Sequence, residues 1–343
     1  MKILLVSPLG FAIKPDTKYA GIEKLVWQYA QELSKEHEVS VLGHSDSVFP
    51  QEATNYGTKP FTKDVFLLSE IKQYQSYHYM IRQFDVIHDF SHQHFASRYN
   101  YKLPSLNLFW HAPAIAQYPK SPYNIIAPSV WAAREFRRIY KQEARYQQSI
   151  VIDPNEYYPK GERGDRFLTL GIMTPQKGNL AAVMLCKELG VPLDIAGGRG
   201  AERQGDLLTD YEQAIMRLCD GEQIIFHGEV TDKKKIELMQ ACKALLYITP
   251  DVYTEVTSHK IQEAMFCGAP VVTARAGAMP EIVTDKVDGY LCANEDEYKD
   301  AIKNIDKLSP ENTHDAVVKK YSLGNVCAEY VKLYTEVKDG LSW

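Results

Sequence analysis

Apolar residues recur in two patterns along this chain, short unbroken runs that read as buried strands and longer stretches with helical spacing. A run at residues 2–6 predicts a first strand. A loop follows, and then a helix over about 22–35, where Ile22, Leu25, Val26, Tyr29, Ala30 and Leu33 share one stripe. Glu23, Lys24, Gln28, Gln31 and Glu32 are expected on its outward face. Residues 38–42 then read as a second strand, and apolar runs at 85–88, 106–109 and 125–127 continue the series, separated by helical stretches as parallel pairing requires. A second alternating series has runs at 167–171, 193–196, 224–227, 244–248 and 271–273. Between the two series, residues 153–164 combine proline, glycine and charge in the manner of a linker. The expected division is a first domain over 1–153, a second over 154–324, and a final helix within 325–343 that packs back on the first. Two βα series in tandem predict an α/β fold of two Rossmann-like, doubly wound parallel sheets facing across a cleft, with ligands at the carboxyl ends of the strands.

Length and composition narrow the function. The 343 residues exceed the size at which one core usually stops growing, and 45% hydrophobic residues can fill two. A net charge of -5 provides no global positive field for nucleic acid or anionic lipid. No apolar stretch approaches the roughly 20 residues that span a bilayer, so at most peripheral membrane contact is expected. The opening apolar run is too short for a signal-peptide core, and the six cysteines include no Cys-x-x-Cys pair, so a cytoplasmic protein with reduced thiols is expected.

The richest local pattern runs from Glu255 to Val272, with a second carboxylate at Glu263. Thr257 and Ser258 are good N-cap residues, so a helix is expected to begin there and to offer its first N–H groups to an anion such as a diphosphate. Glu263, inside the helix, could then reach ribose hydroxyls, and Glu255 a sugar beyond the phosphates. Spacing alone equally allows a buried, satisfied helix acid and a solvated loop charge.

Glu255 to Val272, with the Ala276-Gly277-Ala278-Met279-Pro280-Glu281 turn and Asp288-Gly289-Tyr290-Leu291, resembles the donor-site region of retaining GT-B glycosyltransferases of family 4. Ala20-Gly21-Ile22-Glu23 is similar to that family's first glycine-rich loop, His111 to its histidine after a first-domain strand, and Gly171 to Gly178 to its Gly-Arg-x4-Lys-Gly segment. The resemblance implies transfer of a hexose-type sugar from a nucleotide-diphosphate sugar, UDP or GDP, to an acceptor it does not identify, with retention and without a metal or other cofactor. It implies that Glu263 bonds the ribose and that Glu255 holds the sugar hydroxyls, helped by the backbone of Thr257 and Ser258 with His259 and Lys260 beside them. Lys177 and Gly171 would meet the diphosphate, Gly228 and Val230 the base, Gly21 the phosphates from the first domain, and His111 the developing oxocarbenium ion.

Departures from the pattern qualify these roles. Ile172 stands where the family has an arginine, removing one of two expected phosphate cations, and Lys260, at a usually apolar position, could restore the charge. A nucleotide-sugar-binding partner subunit without turnover is therefore the alternative, which Ile172 supports and the retained Glu255, Glu263, Lys177 and His111 oppose. His88-Asp89-Phe90-Ser91-His92-Gln93-His94 has the residue types of a metal site but suits the rim of the cleft near the acceptor. Gly197-Gly198-Arg199-Gly200 lacks the Lys-Ser/Thr of a P-loop and reads as a strand-to-helix turn near the nucleotide.

Overall fold

A computed structural model describes residues 1–13, 21–50, 53–57, 74–92, 94, 104–109, 124–198, 208–250 and 254–343. Two compact units result, Met1–Asp153 with Lys320–Trp343, and Pro154–Lys319. The first carries strands β1 (Lys2–Val6), β2 (Glu38–Leu42), β3 (Thr54–Asn55), β4 (Val86–Asp89), β5 (Ser105–Leu108), β6 (Ile125–Ala127) and β7 (Ala144–Tyr146). The second carries β8 (Phe167–Leu170), β9 (Leu193–Ala196), β10 (Ile224–Phe226), β11 (Leu245–Tyr247), β12 (Val271–Ala274) and β13 (Gly289–Cys292). The helices are α1 (Gly21–Leu33), α2 (Val130–Tyr140), α3 (Asn179–Leu189), α4 (Asp210–Leu218), α5 (Asp232–Ala241), α6 (His259–Phe266), α7 (Met279–Ile282), α8 (Glu295–Lys303), α9 (Pro310–Tyr321) and α10 (Leu323–Lys338). The closing helix thus starts slightly ahead of the 325 suggested by the sequence.

Strand order is β3-β2-β1-β4-β5-β6-β7 in the first sheet and β10-β9-β8-β11-β12-β13 in the second, and every pairing is parallel. Both sheets are doubly wound α/β layers, and β1 shows why its apolar run is unbroken. Ile3 and Leu5 face a core built with α1 and α10, while Leu4 and Val6 face another with Leu42, Tyr74 and Ile87. A strand covered on both faces has no polar side to alternate with.

Helix α10 completes the first core, burying Leu323, Val326, Cys327, Tyr330, Tyr334 and Val337 against α1 and the sheet. It also takes up His88. That side chain is fully buried, stacks on Tyr330 at 4.7 Å between ring centroids, and its Nδ1 lies 2.8 Å from the Tyr334 hydroxyl. Burial pushes the His88 pKa down to about 3, so the ring is neutral. The expectation that His88 forms a rim is therefore corrected: β4 is a central strand, and His88 points under a helix contributed by the far end of the chain. Among the described residues no three His, Cys, Asp or Glu side chains gather as metal ligands, and no helix is long and apolar enough to cross a membrane.

Helix α1 corrects a second expectation. Glu23 faces inward, 6% exposed, beside the Leu25, Val26 and Ala30 stripe, and accepts the Phe11 N–H at 3.2 Å. Residues 23, 26, 30 and 33 share a helical face, so the loop after β1 folds over what the pattern alone left as the stripe's edge. Burial raises the Glu23 pKa from 4.5 to about 7, outweighing its backbone hydrogen bonds. The unfolded carboxyl ionises first as pH rises, so this stability is fully present below the unfolded value and is lost as pH climbs toward the folded one. The loss should amount to about 3 kcal/mol at 1.36 kcal/mol per unit. Urea denaturation between pH 4 and 8 should show it in the wild type, and Glu23→Gln should flatten the profile; a wild-type profile matching that of the variant would refute the assignment.

Candidate functional site

The winding of the second sheet reverses between β8 and β11, and the segments leaving the carboxyl ends of these strands are drawn together. After β8 the backbone turns at Gly171 (φ 138°), passes a short 3-10 turn at Pro175–Lys177, and enters α3 through Gly178 (φ 68°). A Cβ at Gly178 would overlap the Ile248 carbonyl beyond β11, and one at Gly197 would overlap the Gly171 carbonyl. Only glycine permits either approach. Gly197 N–H in turn donates to the Gly228 carbonyl at 2.9 Å, tying the ends of β9 and β10 to the same place. Val230 lies in the turn before α5, half-buried.

This packing aims side chains at one another. Lys177 Nζ lies 2.5 Å from Glu255 Oε1, and the Tyr247 hydroxyl at the end of β11 donates to the same oxygen. The Glu255 carbonyl accepts the Ala278 N–H at 3.1 Å, and Gly277 (φ 58°) leaves room for that oxygen, so the Ala276–Glu281 turn fixes the Glu255 backbone. Burial opposes ionisation of Glu255, but the Lys177 ammonium and the Lys177 and Tyr247 hydrogen bonds hold its carboxyl below the usual range. It is a half-buried, paired carboxylate rather than a solvated loop charge.

Helix α6 starts beside this pair. Ser258 is its N-cap residue but its hydroxyl makes no cap hydrogen bond, and the buried Oγ has no partner among the described residues. Thr257 is buried next to it, and His259, half-buried, has its pKa lowered chiefly by burial. The first N–H groups of the helix lack intrahelical acceptors and carry its positive end. Lys260, in the first turn, donates to the Leu170 carbonyl at 2.9 Å with its Nζ 3.9 Å over the Tyr247 ring.

One turn on, Glu263 accepts from Tyr157 at 3.0 Å and from Lys235 of α5 at 2.9 Å. Burial again works against its charge, and Lys235 outweighs it, holding the carboxyl below its ordinary range. Lys235 is correspondingly raised by Glu263 despite its own burial. Both glutamates, Lys177, Gly171, Thr257, Ser258, His259 and Lys260 therefore gather at one end of the second sheet. Gly21 opens α1 in the first unit, where a Cβ would meet nothing within 4 Å. His111, Arg199 and Gly200 lie outside the described residues. Sequence reasoning missed Tyr247, Tyr157 and Lys235. Tyr247 ends an apolar strand and Lys235 closes a Lys233-Lys234-Lys235 run that reads as a solvated face, so neither carried a local signal.

Comparison with known proteins adds three findings. Residues 158–323 match the family described as "Glycosyl transferases group 1". The human alpha-1,3/1,6-mannosyltransferase ALG2 is 26% identical over 200 residues, covering 49% of this chain and 46% of that protein, so the match spans about half of the relative's length. AviGT4, a glycosyltransferase involved in avilamycin A biosynthesis, superposes with TM-score 0.72 at 21% identity, over 100% of this chain and 99% of its own. Sucrose-phosphate synthase from Thermosynechococcus elongatus gives 0.78 at 14% identity, over 99% and 100%. Anabaena HepE in complex with UDP-glucose gives 0.73 at 17%, over 98% and 100%. At these identities the structural likeness establishes the fold, two parallel-strand α/β units of the GT-B glycosyltransferase kind.

The glycine contacts are testable. Gly178→Ala should destabilise the second unit by more than about 2 kcal/mol in urea denaturation, since it combines overlap with a left-handed backbone. Gly190→Ala, also left-handed (φ 67°) but with nothing within 4 Å of the added carbon, should cost about 1 kcal/mol. Equal losses would show that close approach does not constrain the site.

Proposed function

From a chain that carries a glycosyl transferases group 1 domain over residues 158–323, we propose a retaining glycosyltransferase that moves a hexose-type sugar from a UDP or GDP sugar to an acceptor. What supports this reading most is the convergence of Lys177, Glu255 and the start of α6 at the switch point of the second sheet. The UDP-glucose named with HepE and the mannosyl transfer named for ALG2 agree with a nucleotide sugar carrying a hexose.

Breaking a glycosyl phosphate bond places negative charge on the diphosphate and positive charge on the sugar ring. Preorganised charge is therefore the protein's main lever. In this reading the diphosphate docks at the N-terminus of α6, where the unpartnered Ser258 Oγ and the first N–H groups receive it. Lys177 exchanges part of its bond to Glu255 for a phosphate oxygen, and Glu255, still held by Tyr247, takes the sugar hydroxyls. Glu263 binds the ribose, with Gly228 and Val230 beside the base. The resemblance assigns His111 to the ring that develops positive charge, and proton removal from the acceptor to a phosphate oxygen on the leaving group's own face. Lysine and helix N-terminus would then neutralise the leaving group without a metal. A reducing cytoplasm suits the buried thiols of Cys186, Cys242, Cys267, Cys292 and Cys327.

The test is thermal shift against UDP, GDP, ADP and their glucose and mannose conjugates, with and without a chelator. One nucleotide should stabilise the protein insensitively to chelator, by about 2.7 kcal/mol at a hundred times its Kd. Glu263→Ala, and Glu263→Gln as the variant that keeps the side chain's shape, should remove the shift. No stabilisation by any nucleotide, or a shift unchanged in both variants, would overturn the reading.

A further inference from the structure

Lys260 reaches back to the end of β8. Its Nζ donates to the Leu170 carbonyl at 2.9 Å, and it is the atom that a Cβ at Gly171 would meet first, at 2.9 Å. Those two residues immediately precede Ile172, where the resemblance expects an arginine. A side chain from another element thus places an amine beside the turn that has Ile172 in place of a cation. Lys177 follows in the same turn, so two amines from different elements flank the start of α6. The Lys177 ammonium has Glu255 as a carboxylate partner; Lys260 has a carbonyl and the face of Tyr247, and no ion pair among the described residues.

Resting on the donor-site reading above, we propose that Lys260 is the site's second phosphate cation, replacing in space the arginine absent at position 172, and that donor binding delivers a solvent proton to it. The charged and titratable groups acting on Lys260 are Lys177 from the turn after β8, Glu255 from the loop before α6, Glu263 from its own helix, and the Tyr247 ring from β11. Burial and then the Lys177 ammonium push the amine down, to about 7, while the two glutamates pull it up. With Lys177 ion-paired to Glu255 and Lys260 facing, among the described residues, only a carbonyl and a ring, Lys260 is the easier of the two amines to hold neutral. A diphosphate brings negative charge to both and favours the protonated form, so the Lys260 pKa rises on binding.

The sign follows from linkage. Below about pH 7 Lys260 is already charged and affinity is fullest; above it, binding must take up a proton and affinity falls by at most about tenfold per pH unit until the bound-state pKa is passed. An arginine would stay charged across this range. The replacement therefore converts a constant affinity into one that declines in alkali.

Calorimetric titration of the full chain with UDP and with GDP, from pH 6 to 9, tests this. Wild type, Lys260→Arg and Lys260→Met share the ligand's own ionisation, so differences between them report Lys260. Relative to Lys260→Arg, wild-type affinity should match at pH 6 and fall by up to about tenfold per unit above pH 7. Lys260→Met should bind at least about tenfold more weakly at pH 6, the loss of one charge-assisted contact. For wild type alone at pH 8, two buffers of different ionisation enthalpy should reveal net proton uptake, a readout that does not depend on any variant folding. Parallel pH profiles, no proton uptake, or full affinity in Lys260→Met would overturn the inference while leaving the donor site standing. Absence of binding by either nucleotide at every pH would overturn both.

Discussion

The second unit is organised by backbone approaching backbone. Gly178 lies against the Ile248 carbonyl, Gly197 against the Gly171 carbonyl, and Gly277 against the Glu255 carbonyl, each at a positive φ and each closer than any Cβ would allow. The described residues that leave β8, β9 and β11, and the turn after β12, are thereby held at the carboxyl end of the sheet. Lys177 is the residue before Gly178, and Glu255 is clamped through its own carbonyl, so their side chains meet because their backbones have nowhere else to go. The meeting of these two side chains is a consequence of close packing by residues that carry no side chain.

That geometry makes electrostatics expensive to leave unbalanced. Half-buried charges need partners, since desolvation would otherwise exceed what the fold gains. The unit answers with two sets, Lys177 and Tyr247 on Glu255, and Lys235 and Tyr157 on Glu263. Lys260 is left with a carbonyl and a ring face, and its depressed proton affinity records that deficit. An amine short of a carboxylate partner, next to the start of a helix, is where the proposed anionic ligand would supply the missing negative charge.

Much of this was legible from residue pattern because buried parallel strands are unbroken apolar runs and the helices between them are amphipathic. Strand β1 and the stripe of α1 appear where their spacing puts them. Glu23 was not legible, because its burial depends on Phe11 folding over the first turn, which no periodicity encodes. His88 was misread for the same reason: the residues that cover it, Tyr330 and Tyr334, arrive from the end of the chain. In the site, the motif residues were visible as a spaced set, whereas Tyr247 and Lys235 belong to it only through contacts between different elements. Sequence spacing reports which residues share an element; it is silent on which elements share an edge.

The two glutamates also differ in a way that bears on what each can bind. Tyr157 and Lys235 both donate to Oε1 of Glu263, and no donor among the described residues takes Oε2. One oxygen is thus committed to keeping the carboxylate charged and fixed in rotamer, and the other is open as an acceptor. A ribose hydroxyl needs that combination, an acceptor that stays ionised without having to release a protein partner first. Glu255 is arranged otherwise, since its bond to Lys177 unites the two groups that the proposed mechanism assigns to opposite ends of the breaking bond. Donor entry would have to divide that pair, sending the ammonium toward phosphate and the carboxylate toward sugar. On the proposed reading, Glu263 keeps one acceptor oxygen available while Lys177 and Glu255 neutralise each other, so that separation of charge is driven by the ligand that uses it.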